Sequence, residues 1–385
     1  MDTTEQLKLH KRLVDDAVRL RPMERVPHLS NFAMWSVLDY GAKPGVACRD
    51  WSLMEKVQRA FMDKYRFDCS GSFGAYLSCP PGMLDSIGPG YNVFDDEADS
   101  VMLADVDLLH AEDYDEYLSD PFGLAWNRLL PRKFERWGDR TVGDFQKAID
   151  EFIRFNNYLG HMSEVAISEY GLPSLGQPGD MLGIEVLFNT RRGIKGLSHD
   201  MRRIPDKLQQ VIGQMDAGID ALGRLSAYDA EASTSAFGTV VYSLAHSILS
   251  LDQWDKYYWP SLSRIIDAVV ETDTTMLIFA ESFISRFYDY FRDVPAGHLA
   301  IQIEQDDVFD FKAQLPNVCV VGGMSTRLLG NGSVKQCVDY AKFLCDELGR
   351  EGGFILSQDK MMSHLVDAKP ENIQAVCDYV VDYAL

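Results

Sequence analysis

Between residues 318 and 356 the sequence reads VCVVGGMSTRLLGNGSVKQCVDYAKFLCDELGREGGFIL. Short apolar runs open and close this stretch, and each is flanked by a pair of glycines, which is typical of buried strands. Between them, Ser333 can cap a helix that Gly349 ends. The apolar positions of that helix recur at helical spacing: Val334, Val338, Ala341, Leu344, Cys345 and Leu348. A strand, a helix and a second strand in succession predict a parallel sheet.

The same alternation extends outward along the chain. Strands are predicted at 276–279, 298–303 and 26–29, and helices at 7–20, from Asp50, from Thr141 and from Pro370. Residues 66–135 show little periodicity and predict a long loop, and in a βα barrel the loops after the strands build the active site. We therefore predict an α/β fold. A single (β/α)8 TIM barrel over residues 1–385 is favoured over two domains, with residues 1–22 forming a helix packed outside the barrel.

Charge and composition exclude several classes of function. The chain has 37 Lys and Arg against 58 Asp and Glu, a formal net charge of −21. Such a surface repels nucleic acid and anionic membranes. No apolar stretch of about 18 residues and no signal peptide is apparent, and the seven cysteines follow no disulfide pattern. We expect a cytoplasmic protein that binds neither nucleic acid nor membrane.

Several motifs occur in an order that resembles the uroporphyrinogen decarboxylase superfamily, and more specifically its corrinoid-dependent methyltransferases. They include DYDEY at 113–117, RGIKG at 192–196, YYWPSL at 257–262, VCVVGGM at 318–324 and KPEN at 369–372. The resemblance covers roughly residues 20–385 and implies the same (β/α)8 barrel. It is also compatible with a homodimer.

Two departures from the superfamily's motifs narrow the resemblance. The arginine-rich motif that holds porphyrinogen carboxylates in the decarboxylases is replaced by SNFAMWS at 30–36. The zinc-binding His-x-Cys and Cys of the thiol-methylating members are replaced by FAE at 279–281 and SQDK at 357–360. The resemblance then implies an O-demethylase methyltransferase of one-carbon metabolism. It would move a methyl group from a methoxylated, aromatic substrate to the cobalt(I) of a corrinoid (cobalamin) on a partner carrier protein. The alternatives are a uroporphyrinogen-type decarboxylase and a non-catalytic ligand-binding barrel.

Acidic residues and one histidine are the candidate catalytic groups. Glu281 follows the strand at 276–279 and could donate a proton to a departing oxygen, or it could cap the next helix. Of the acids after the following strand, Asp307 is chosen on the resemblance, with a solvated loop as the alternative. His246 could donate to an oxygen, or it could be a core histidine. Asp359 occupies the last zinc-ligand position, and with Glu281 it could bind a metal such as zinc through oxygen ligands.

Aromatic residues after the early strands are the candidate substrate-binding groups. An aromatic substrate needs flat apolar walls with a few polar groups. We predict that such walls are formed by Phe32, Trp35, Phe73, Tyr76 and Tyr91, with Met324 at the mouth. Ordinary core packing is the alternative for each of them.

Overall fold

A computed structural model describes residues 2–69, 73, 80–88, 92–93, 101–103, 107–178 and 181–385 of the chain. Within these residues the strands are β1 Asn92–Val93, β2 Met102–Leu103, β3 Ser174–Pro178, β4 Ser235–Ser243, β5 Met276–Ala280, β6 Leu299–Ile303, β7 Cys319–Met324 and β8 Phe354–Gln358. The first two form a small antiparallel ribbon, and the other six form one parallel sheet in sequence order.

The six-stranded sheet is the centre of the fold. Its neighbouring strands run in register, as in the pairing of Leu277 with Ala300 between β5 and β6. Every residue of β6 and of β8 is buried, which is the pattern expected of a parallel sheet covered on both faces. The prediction of an α/β fold with a parallel sheet is confirmed, as are the strands predicted from the four apolar runs between 276 and 356.

Two further segments extend the sheet by single parallel bridges. His28 pairs with Leu356 of β8, and Leu29 pairs with Cys69. Backbone hydrogen bonds hold them, from Leu29 N to the Leu356 carbonyl at 2.9 Å and from Asp68 N to the His28 carbonyl at 2.8 Å. The strand predicted at 26–29 is therefore a bridge and not a full strand. Six parallel strands are confirmed in the described residues, and the eight-stranded barrel stays a prediction.

The helices surround this sheet. The α-helices are α1 Thr3–Val18, α2 Trp35–Asp39, α3 Pro44–Ala47, α4 Trp51–Lys64, α5 Pro81–Ile87, α6 Tyr114–Ser119, α7 Pro121–Leu124, α8 Leu130–Lys133, α9 Val142–Tyr170, α10 Gly183–Val186, α11 Gly193–Arg203, α12 Pro205–Asp216, α13 Ala221–Ser226, α14 Leu251–Gln253, α15 Trp259–Glu271, α16 Tyr288–Phe291, α17 Val308–Gln314, α18 Thr326–Asn331, α19 Val334–Leu348 and α20 Pro370–Asp382. Segments of π-helix cover Ala125–Leu129, Leu187–Arg191 and Trp254–Tyr258. None of the described helices is both long and apolar enough to cross a bilayer.

Capping residues explain why the longer helices begin where the sequence predicts. Thr141 and Asp144 form a capping box at the start of α9, and Ser333 forms another with Gln336 at the start of α19. Asp50 accepts hydrogen bonds from the first turn of α4. These side chains satisfy backbone N–H groups that have no partner within the helix.

The sequence-based interpretation was wrong about the region 66–135, which contains helices and not one long loop. In its described part α5, α6, α7 and α8 are each four to seven residues long. Asp120, which accepts a hydrogen bond from Gly123 N at 2.9 Å, caps α7. Helices this short show no complete apolar period, so a pattern search does not find them.

A buried ion pair fixes the segment that precedes the sheet. Asp68 is fully buried and accepts two hydrogen bonds from the Arg25 guanidinium and one from His28 N at 2.7 Å. Burial alone would raise the pKa of Asp68, but Arg25 and His10 outweigh it and the pKa lies below its usual value. The helix α1 lies beside this pair and packs Val14, Ala17 and Val18 into the main core.

Candidate active site

A cavity of about 330 Å³ opens where the strands of the sheet end. Residues at or just after the carboxyl ends of β4, β5, β6 and β8 line it, and Asn31 joins them from the segment that bridges to β8. The lining residues are Asn31, Tyr242, Phe279, Ala280, Glu281, Gln302, Ile303, Glu304, Asp359, Lys360, Met361 and Ser363. This is the edge at which ligands bind in parallel α/β folds.

Glu281 lies at this cavity, as its position after a strand predicts. Its side chain reaches solvent on one side, and its backbone N–H donates to the Ser243 carbonyl at 3.1 Å. Desolvation by the surrounding protein raises the pKa of Glu281, and the negative charge of Glu304 raises it further. A carboxyl with a raised pKa holds its proton more strongly and can serve as a general acid.

The turn after Glu281 has a backbone conformation that is rare for its residue type. Ser282 has φ +59°, in the left-handed region, although it is not glycine. Its N–H donates to a Glu304 carboxyl oxygen at 2.5 Å. Such conformations cost roughly 1–3 kcal/mol and cluster at functional sites. The hydrogen bond links the Glu304 carboxyl group to the turn that follows Glu281.

Glu304, and not Asp307, is the acidic residue that β6 brings to the cavity. Asp307 is exposed and caps α17, accepting hydrogen bonds from Phe309 N at 2.9 Å and from Asp310 N at 3.0 Å. The carboxylate of Asp307 is thus occupied by a helix N-terminus and is not part of the cavity lining, so the catalytic role of Asp307 stays a prediction without support from this cavity. Sequence spacing could not separate these two acids, since both follow β6 within four residues.

Asp359 lines the cavity from the end of β8, and one oxygen of its carboxylate accepts a hydrogen bond from Thr326 N at 3.1 Å. It therefore shares the site with Glu281. Catalytic zinc ions usually have three protein ligands. Among the described residues no three His, Cys, Asp or Glu side chains are grouped as a metal would require. The residues that the structure describes thus do not fit the zinc site considered for Glu281 and Asp359.

Two stacked aromatic rings form the apolar wall of the cavity. Tyr242 and Phe279 are paired across β4 and β5, with ring centroids 5.4 Å apart and planes inclined by 14°. The sequence analysis missed both, because β4 was not predicted and the register between the two strands was therefore unknown. A Tyr and a Phe near the carboxyl ends of adjacent strands would have been the signal.

Four of the residues predicted to bind substrate lie outside this wall. Phe32, Trp35 and Met324 are buried in the main core, with 8%, 0% and 0% of their surface exposed. Phe73 is buried in a second cluster with residues of α9. None of these four lines this cavity, and each packs in a hydrophobic cluster, so their contact with a substrate stays a prediction. Tyr76 and Tyr91 lie outside the described residues.

His246 lies behind the cavity and not in its wall. It is fully buried, and its Nδ1 atom is 3.0 Å from the Ser243 hydroxyl. Burial and the nearby Arg286 guanidinium lower the pKa of His246 to about 4. The imidazole is therefore neutral at physiological pH, and direct contact with a substrate in the cavity is not supported.

Comparisons with known proteins agree with this architecture. The model of the uroporphyrinogen decarboxylase (URO-D) family matches residues 187–383, and the chain belongs to this family. A solved structure of a methyltransferase from Methanosarcina mazei is similar over 97% of this chain and 98% of its own, with a TM-score of 0.60 and 14% sequence identity. At that identity the similarity shows the fold alone. No curated protein matches the chain.

Proposed function

We propose that this protein is a methyltransferase that takes the methyl group from a methoxylated aromatic substrate and passes it to a cobalt(I) corrinoid on a partner protein. The proposal rests on one observation above all. A carboxyl group with a raised pKa, Glu281, shares a cavity with the stacked rings of Tyr242 and Phe279. Membership of the URO-D family and a fold shared with a solved methyltransferase support the same conclusion.

The cavity suits an aromatic ether in size and chemistry. Its volume, about 330 Å³, lies at the lower end of the usual range for small-molecule sites, which is about 300–1,000 Å³. The ring of a methoxyarene can lie against the Tyr242 and Phe279 pair, since aromatic rings favour offset or edge contacts with one another. Gln302, which is 4% exposed and donates to the Gln358 carbonyl at 3.3 Å, adds a fixed polar group to the wall.

Glu281 supplies the proton that the reaction needs. A cobalt(I) corrinoid, when bound at the mouth, provides the nucleophile that accepts the methyl group. The carbon–oxygen bond of the ether breaks as the methyl group leaves, and its electron pair stays on the oxygen. Glu281 then donates its proton to that oxygen, so that a phenol and not a phenolate is released. Proton donation of this kind contributes about 10²–10⁴ in rate.

The charge of the cavity disfavours the decarboxylase alternative. Three carboxyl groups line it, those of Glu281, Glu304 and Asp359, against the ammonium group of Lys360. That ammonium is already paired with Asp367 at 2.8 Å. A porphyrinogen with several carboxylates would have to leave water for a site of like charge, which is strongly unfavourable. A neutral methoxyarene meets no such penalty.

The experiment that tests this proposal is an anaerobic transfer assay. The purified chain is mixed with a reduced corrinoid carrier protein and a panel of methoxyarenes, and both phenol release and the absorbance of methylcobalamin are followed. We expect the two products to appear together in a one-to-one ratio. The absence of a methyl–cobalt signal with every oxygen, nitrogen and sulfur methyl donor tested would refute the proposal and favour a ligand-binding barrel.

A matched pair of variants assigns the acid. Glu281→Gln and Asp307→Asn both replace a carboxylate by an amide after adjacent strands, but only Glu281 lines the cavity. Asn caps helices about as well as Asp, so Asp307→Asn should keep both folding and activity. Loss of activity in Asp307→Asn with retention in Glu281→Gln would reverse the assignment.

A further inference from the structure

A continuous chain of four buried polar side chains runs behind the cavity. It begins at Glu185 on α10, passes through Tyr258 and Ser243, and ends at His246. The Tyr258 hydroxyl lies 2.9 Å from Glu185 Oε1 and 2.6 Å from Ser243 Oγ, and Ser243 Oγ lies 3.0 Å from His246 Nδ1. All four residues are at most 1% exposed.

The geometry of this hydrogen-bond chain determines how many protons its four side chains share. Three oxygen–oxygen or oxygen–nitrogen contacts each require a hydrogen atom between the two heavy atoms. The hydroxyl groups of Tyr258 and Ser243 supply two of them. The third must come from Glu185 as a carboxylic acid or from His246 with its proton on Nδ1. The protonation of Glu185 and the tautomer of His246 are thereby coupled, although three hydrogen bonds separate them.

The two ends of the hydrogen-bond chain lie in different surroundings, and only the Glu185 end has donors that can stabilise a negative charge. At the Glu185 end the carboxyl group accepts hydrogen bonds from Leu244 N at 2.9 Å, Ala245 N at 3.0 Å and Asn189 Nδ2 at 3.1 Å. These donors can hold a negative charge there. At the other end His246 Nε2 is buried and has no hydrogen-bond partner among the described residues. The backbone groups of Glu281 and Phe283 lie beside this imidazole and favour its protonated form, so this end of the hydrogen-bond chain faces the segment that carries the proposed acid.

We propose that Glu185, Tyr258, Ser243 and His246 form a proton relay that restores the proton at the Glu281 side of the cavity and leaves the negative charge on Glu185. When the Glu281 carboxylate takes the proton of Nε2, the Ser243 proton moves to Nδ1, the Tyr258 proton to Ser243 and the Glu185 proton to Tyr258. The imidazole stays neutral in its other tautomer, and Glu185 becomes a carboxylate. The relay rests on the proposed function in one respect, that Glu281 gives up a proton in each turnover.

The charged groups around the relay agree with such a role. Burial raises the pKa of Glu185 to about 7, and the charge of Glu281 also raises it. The hydrogen bonds from Leu244, Tyr258 and Ala245 lower this pKa, but they do not outweigh burial. Arg286 donates to the His246 and Ser247 carbonyls at 2.9 and 2.8 Å and disfavours an imidazolium. Asp216 accepts a hydrogen bond from Gly183 N at the start of α10, at 2.7 Å. The charge of an ionised Glu281 therefore favours the neutral form of Glu185.

Nitrogen-15 NMR of the histidine side chains in the purified full chain tests the coupling without any methyl transfer. Between about pH 5 and about pH 9, we expect the proton of His246 to move from Nε2 to Nδ1 in one step as Glu185 ionises. Glu185→Gln cannot ionise and should keep His246 in one tautomer throughout. Ser243→Ala interrupts the chain and should also abolish the pH dependence. Thr239→Val, on the same strand and at a buried hydroxyl without a hydrogen-bond partner among the described residues, is the matched control.

The outcomes separate the relay from the proposed function. A His246 tautomer that is constant with pH in the unmodified protein, or that still changes in folded Glu185→Gln or Ser243→Ala, would overturn the relay. Tyr258→Phe, which keeps the ring stacked on Trp254 at 4.3 Å, gives the same test if another variant fails to fold. Failure of the transfer assay with the unmodified protein would refute the proposed function and leave the tautomer result intact.

Discussion

Replacing Glu281 by Gln is the perturbation that tests the proposed chemistry most directly. The amide is nearly the same size as the carboxyl group but cannot donate its proton to a departing oxygen. Loss of general acid catalysis should lower kcat by about 10²–10⁴, which corresponds to about 2.7–5.4 kcal/mol of transition-state stabilisation. Substrate binding should change little, because the stacked rings of Tyr242 and Phe279 are untouched.

The structure also predicts that this substitution should not destabilise the protein. The Glu281 side chain is exposed on one side and accepts no hydrogen bond from any residue that the structure describes. Its raised pKa means that ionisation is less favourable in the folded state than in the unfolded one, so at neutral pH the carboxylate opposes folding. The variant should therefore be at least as stable as the unmodified protein, within about 0.5 kcal/mol.

Single-turnover phenol release measured across pH is the assay. In the unmodified protein the rate should fall as pH rises through the raised pKa of Glu281, because only the acid form donates. Glu281→Gln should show a low rate without that descending limb. A variant that keeps kcat within threefold of the unmodified protein, or keeps the descending limb, would refute the assignment of Glu281 as the acid.

Three further substitutions test other parts of the structure. Glu304→Gln removes the charge that raises the pKa of Glu281, so the descending limb of the pH–rate profile should move to lower pH. A descending limb at the same pH as in the unmodified protein would contradict an electrostatic effect of Glu304 on Glu281. Tyr242→Leu removes one ring of the stacked pair, and an aromatic contact of this kind contributes about 0.5–1.5 kcal/mol. The KM for methoxyarenes in steady-state kinetics should therefore rise about 2- to 12-fold. An unchanged KM would place the substrate elsewhere. Asp68→Asn leaves the buried Arg25 without its counter-charge and should cost about 3–5 kcal/mol in the free energy of unfolding, measured by urea denaturation. Because the pKa of Asp68 is lowered in the folded protein, its contribution is present above the unfolded pKa and is lost as pH falls through the folded one; a loss below 1 kcal/mol would show that Arg25 is solvated.

The parallel sheet and its longer helices were predictable because their signals are local. The apolar runs at 276–279 and 298–303 and the caps at Thr141 and Ser333 each act within a few residues. β4 escaped prediction because Ser, Ala, Gly and Thr interrupt its apolar residues, although seven of its nine residues are buried. Burial of that strand comes from neighbours distant in sequence, which a local pattern does not contain.

The candidate site could likewise be predicted from the sequence only in part. The position of Glu281 after a strand placed it at the correct edge of the sheet, and the resemblance to the family placed Asp359 there too. Asp307 was preferred to Glu304 on the resemblance to the family, and the order of residues does not show which of the two carboxylates caps a helix N-terminus. Glu185 was not predicted as a functional residue, since the sequence GIEV around it matches no known motif.

The sequence by itself determined the family, the parallel α/β architecture and an acidic group at the carboxyl ends of the strands. These follow from order along the chain and from short-range periodicity, which the residues carry wherever they lie. Only the tertiary structure decided which acid faces the cavity, that Tyr242 and Phe279 form its wall, and that Glu185 is linked to His246 through two hydroxyl groups. Such choices depend on register and burial between segments that are far apart in sequence, because hydrogen bonds and desolvation act across space and not along the chain.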